Sequence, residues 1–109
     1  MMSLPLGDRY TSDVVIDGGR IRRRGKGPSK ALRHLFGRTP LSVAEDVPRG
    51  GKRLIVGTGV NGALPVAPEV YQEGARRRIA IEALPTRDAC RLLAELKPKD
   101  VYAVLHVTC

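Results

Sequence analysis

Tryptophan is absent from the 109-residue sequence, phenylalanine occurs once (Phe36) and tyrosine three times (Tyr10, Tyr71 and Tyr102). Readers of single-stranded nucleic acid set stacking faces beside their cations, and four scattered aromatics supply no such platform. No zinc-finger or RNP-like pattern occurs either. Cysteine is as scarce. Cys90 and Cys109 are too few for a disulfide scaffold, so a reducing cytoplasm is the expected compartment. Metal chemistry is thin for the same reason: the available ligands are His34, Cys90, His106 and Cys109, with no C-x-x-C or H-E-x-x-H spacing. His106 and Cys109 stand three apart, which on a strand sends them to opposite faces. No metal or other cofactor is expected. No apolar run approaches 18 residues, which excludes a transmembrane helix and any membrane partner through one. Residues 1–9 show neither an apolar signal core nor an Arg-rich amphipathic transit pattern.

What the chain does have is apolar residues, at 42%, and positive charge, at a net +8. The length and apolar fraction fit one modest core, and residues 1–109 read as a single domain. The charge is unevenly placed. Through Arg53 there are 12 bases against 5 acids, and beyond it 7 against 6. Arg20, Arg22, Arg23, Arg24, Lys26, Lys30, Arg33 and Arg38 follow one another with no acid between them. Such a block attracts phosphates or acidic protein faces over roughly 8 Å at physiological salt. It reads first as a solvated basic loop, next as the seat of a protein partner, and last as an electrostatic nucleic-acid contact.

Thr11–Ile16 and Arg20–Arg24 flank Asp17-Gly18-Gly19, which predicts a β-hairpin with a tight turn. Gly25–Ser29 is a loop by composition, and Lys30–Phe36 fits either a short helix or a sheet edge. Ser42 and Glu45 have the spacing of a capping box, with Leu41 as a staple, so a short helix is expected before Pro48. From Lys52 the pattern alternates. Arg53–Val56 is a strand apolar on both faces. A helix follows from Pro68, with Glu69 in its first turn, to an end within Arg76–Arg78, despite Gly74 inside it. Ile79–Leu84 is a strand, and Thr86 caps a helix from Arg87 to Leu96. Its Ala89, Leu92, Leu93 and Leu96 form one apolar stripe. Val101–Val107 is the last strand. The fold class is therefore α/β: helices over a largely parallel sheet, with the N-terminal hairpin as an added layer.

Gly57-Thr58-Gly59-Val60-Asn61-Gly62 matches G-x-G-x-x-G after a strand, yet Pro65 and Pro68 delay the next helix. No helix N-terminus is then left in the loop for a pyrophosphate. The loop reads as a glycine-bent connection, with binding of a small anion by its amides as the alternative. Cys90, near the start of its helix and beside the apolar stripe, reads as a half-buried packing residue; the alternative is a nucleophile paired with a histidine. His106 reads as a satisfied core histidine, with Thr108 as its partner.

Leu54-Ile55-Val56-Gly57-Thr58-Gly59, Gly62-Ala63-Leu64-Pro65-Val66 and Glu69-Val70 resemble the core signature of the Mth938-like family. Pro85-Thr86 with Ala89-Cys90 is similar to that family's next motif, and Ala103 to Cys109 to its terminal strand. Asp13-Val14-Val15-Ile16 and Leu41-Ser42 with Glu45-Asp46 fit its general plan. The chain departs from it at Leu93-Ala94-Glu95-Leu96, where the family often carries Tyr-Asn, and in the basic stretch, where it often carries Trp. The resemblance implies a three-layer α/β domain with a mixed central sheet, flanking helices and an added N-terminal β layer. It implies no defined catalytic residues. Its branches include an assembly factor for a respiratory complex and a cytoplasmic protein linked to growth signalling, so it implies a protein-interaction or assembly module, monomeric or weakly dimeric. Gly57, Thr58, Gly59, Gly62, Thr86, Cys90 and His106 are the candidate functional surface, together with the basic residues. An unrecognised enzyme or small-ligand protein using the Gly57–Gly62 loop with Cys90 or His106 is the alternative.

Overall fold

The structure, a computed structural model, describes residues 2–3, 9–10 and 13–107. Thr11, Ser12, Thr108 and Cys109, which the sequence reading placed in strands or beside His106, lie outside them. β1 (Met2–Ser3) and β2 (Arg9–Tyr10) pair antiparallel as a small separate sheet.

β3 (Val14–Asp17) and β4 (Arg20–Arg23) form the expected hairpin. Gly18 and Gly19 turn it, both at positive φ (61° and 84°), the combination a two-residue type I′ turn requires. The hairpin does not form a layer of its own. β3 pairs antiparallel with β7 (Tyr102–Leu105), which pairs in parallel with β5 (Arg53–Gly57), and β5 in turn with β6 (Ala80–Leu84). The result is one mixed five-stranded sheet, ordered β4-β3-β7-β5-β6.

Period-2 alternation divides the core between the two faces of this sheet. Val15, Leu54, Val56 and Val104 point to one face, under α2 (Pro68–Arg76), whose Val70 joins that cluster along with Leu41 and Leu64. Val14, Ile16, Ile55, Ala103 and Leu105 point to the other, against Ala89 and Leu93 of α3 (Thr86–Leu93). The α2 connection steps outward from β5 to β6, and the α3 connection steps back past β5 to β7. Two crossovers of the same hand running in opposite directions place their helices on opposite faces. Leu92 and Leu96 complete the predicted α3 stripe as partly buried residues, Leu96 from the turn just past the helix.

Two local expectations are corrected. The Ser42–Glu45 spacing builds no helix; residues 43–45 form a turn. Leu41 instead bridges Val66 in parallel, with Leu41 N–H donating to Pro65 O and Ala67 N–H to Leu41 O, both at 2.8 Å. The Glu45 carboxylate is taken by Arg24, a stronger partner than a backbone N–H. Thr86 is the first helical residue of α3 and not its cap, which is Pro85. Lys30–Phe36, which fits either a short helix or a sheet edge, is helical: a 3₁₀ segment (Gly27–Leu32), which also takes in the end of the expected Gly25–Ser29 loop, leads into α1 (Arg33–Phe36), which stops at Gly37 in the left-handed region.

Candidate functional site

The glycine loop after β5 is closed by its own hydrogen bonds. Thr58 N–H donates to Leu84 O (2.8 Å), Gly59 N–H to Thr86 Oγ1 (2.8 Å) and Gly62 N–H to Gly59 O (3.3 Å). Thr86 N–H and Leu64 N–H donate back into the loop, to Gly59 O and Thr58 O. The crevice between the C-terminal ends of β5 and β6, where open α/β sheets usually hold ligands, is thereby laced shut. Gly57 leaves no space either, since a Cβ there would stand 2.8 Å from Leu105 Cδ2 and 3.0 Å from Thr86 Oγ1. The next helix in the chain starts only at Pro68, and the helix N-terminus that does meet this loop, that of α3, has its Thr86 N–H committed to Gly59 O. Cys90 is half-buried against the α3 side of the core, and burial pushes its thiol pKa up, away from the thiolate a nucleophile needs.

Thr86 has a different task. Its hydroxyl donates to His106 O at 2.6 Å while His106 N–H donates to Gly57 O at 2.9 Å, so the backbone just beyond β7 is pinned on both sides. The ring of His106 is oriented by a residue absent from the sequence-based site. Asp13 Oδ1 and Oδ2 lie 3.0 and 2.9 Å from Nδ1, and Oδ1 also accepts from Val107 N–H at 3.1 Å. Asp13 is legible in hindsight. The hairpin register pairs Val14 with Arg23, so one step further Asp13 faces Arg24, and Arg24 N–H donates to Asp13 O at 2.9 Å.

Arg24, expected among the exposed cations, is buried at 7% relative exposure. Its Nε and Nη2 grip Glu45 at 2.7 and 2.8 Å, Nη2 also reaches Pro40 O, and Nη1 donates to Asp13 Oδ2, both at 3.0 Å. Four of the five guanidinium N–H groups are thus committed. Ser29 donates to Glu45 Oε2 at 2.5 Å, which leaves Ser42 as donor in the 2.6 Å contact between the two hydroxyls. Burial alone would raise the Asp13 pKa, but hydrogen bonds from His106, Val107 N–H and Arg24, with the charge of His106, hold it at about 2. Burial likewise opposes the Arg24 charge, and Glu45 and Asp13 outweigh it, raising its pKa.

Beside this network opens a cleft of about 300 Å³, lined by Arg24, Lys26, Arg33, Gly37, Arg38, Thr39, Leu64 and His106. Lys26, Arg33 and Arg38 are exposed and make no ion pair with any described residue. The other predicted cations stand elsewhere. Arg20, Arg23 and Lys30 are exposed outside the cleft lining, and Arg22 is drawn to the carbonyl and carboxylate of Asp46. His34 is exposed on α1. Among the described residues no three His, Cys, Asp or Glu side chains gather as a metal site, and no helix is long and apolar enough to cross a membrane.

An α/β domain with a laced switch point and a basic cleft beside it is the class that fold and site define. The crystal structure of conserved hypothetical protein PH1505 from Pyrococcus horikoshii OT3 is similar to it. The two are 32% identical over 94% of this chain and 88% of that one, with a TM-score of 0.71. The chain belongs to the same family as that protein. No family model matches the sequence, and no curated protein does.

Proposed function

We propose that this protein is a Mth938-like binding module of the cytoplasm, a protein-interaction or assembly component that recognises an anionic group through the cleft beside His106. One observation carries this reading: Lys26, Arg33 and Arg38 surround about 300 Å³ of open space with no described acid to neutralise them. Arg24, Asp13 and Glu45 hold the wall of the cleft, so an entering anion meets an organised surface and costs little ordering. The glycine loop supplies Leu64 as an apolar wall and none of the amides it uses internally. The charge that marks the sequence thus divides into a structural cation, Arg24, and a recognising set.

The test is an NMR titration of the ¹⁵N-labelled protein with phosphate, sulfate and acetate at low salt. Shift changes confined to Lys26, Arg33, Gly37, Arg38, Thr39, Leu64 and His106 are expected, and they weaken as salt rises. Shifts spread evenly over all cations, or none, overturn the reading.

A further inference from the structure

This inference rests on the anion-binding reading and adds which anion the cleft takes. The Asp13 carboxylate can only accept hydrogen bonds, and both of its oxygens lie within 3.0 Å of His106 Nδ1. In the uncharged imidazole the ring proton therefore sits on Nδ1, and Nε2 presents a lone pair. Nε2 bonds to no described residue, and no buried side-chain N or O atom among the described residues lacks a partner. An unpartnered Nε2 is therefore not sealed from solvent, and His106 lines the cleft. The charged groups around it are otherwise all donors: Lys26, Arg33, Arg38 and the last N–H on Arg24 Nη1. An acceptor that cannot donate, facing an arc of cationic donors with the Thr39 hydroxyl able to play either role, matches an anion that brings a proton of its own.

We propose that the cleft selects a small oxyanion bearing an O–H group, hydrogen phosphate foremost, with its negative oxygens among Lys26, Arg33 and Arg38 and its O–H donating to His106 Nε2. Sulfate has the same shape and charge but no proton, so its oxygen would meet the Nε2 lone pair head-on. The same logic separates a hydroxycarboxylate from a plain carboxylate. The volume, several times that of one water molecule's share of the liquid, admits either kind of ligand.

Calorimetric titration of the intact protein at pH 8 tests the idea with two matched pairs: phosphate against sulfate, and glycolate against acetate. The O–H member of at least one pair is expected to bind about tenfold more tightly, the worth of one satisfied against one unsatisfied polar contact. Whichever pair discriminates identifies the source of the O–H. His106→Phe should abolish the preference while sulfate binding persists. Should that variant misfold, long-range ¹H–¹⁵N spectra of the wild-type His106 ring give the same decision, with a non-protonated Nε2 that shifts on adding phosphate as the expected result. Equal affinities within both pairs, or a proton on Nε2 at pH 8, overturn this inference and leave the anion-binding reading standing. Absence of binding by all four anions removes both.

Discussion

The Arg24 guanidinium is the residue on which the cleft wall depends, and its loss is a stability event before it is a binding event. Arg24→Met leaves Glu45 buried without its countercharge, and a loss of about 3–5 kcal/mol is expected in urea unfolding. Arg24→Lys should recover little of it, because an ammonium cannot span both Glu45 oxygens. Asp13 adds a pH dependence. Its folded pKa of about 2 lies below the usual 3.8, so between these values the unfolded chain binds the proton first. The stabilisation is complete above about pH 5 and is lost as pH falls through 4 toward 2. It amounts to about 2 kcal/mol. Unfolding midpoints measured from pH 6 to pH 2 should show this acid limb in the wild type, and Asp13→Asn should be weaker at pH 6 and flatter below it.

Among the elements, α2 carries a glycine that helix propensity disfavours. Replacing Gly74 by alanine in an exposed helix interior would stabilise by about 1 kcal/mol. Here a Cβ would stand 2.6 Å from Ile81 Cγ1 and 3.0 Å from Ile79 O. Gly74→Ala is therefore expected to lower the melting temperature, read by thermal unfolding. Elements of this kind were legible because their signals are local. Leu54-Ile55-Val56 marks a strand, Pro68-Glu69 a helix start, and Ala89 with Leu92, Leu93 and Leu96 a helix stripe. Residues 27–47 were not legible. Ser42 and Glu45 have helix-start spacing, but the Arg24 side chain and the Pro65–Ala67 backbone, distant in sequence, outbid the local hydrogen bonds. The site divides along the same line. His106, Lys26 and Arg33 stand out by type, whereas their convergence depends on β7 lying next to β3, a pairing no local pattern announces. Asp13 was within reach, since the hairpin register alone sets it against Arg24.

For the molecule as a whole, a net charge of +8 opposes compaction, and the three cations of the cleft offset none of it by pairing with described residues. Replacing Lys26, Arg33 and Arg38 together by glutamine should leave the melting temperature unchanged or slightly higher while abolishing anion binding, a separation that calorimetry and titration read independently. The order of the sheet has a further consequence during synthesis. β7 lies at the centre of the sheet yet is translated after every other strand in it. While the ribosome has yet to deliver Tyr102–Leu105, the hairpin and the β5–β6 pair each present a bare inner edge, open to mispairing with other chains. The nascent protein therefore acquires its sheet in one late step, and the same step brings His106 to Asp13, 93 residues upstream. A half-made chain has no working cleft to offer.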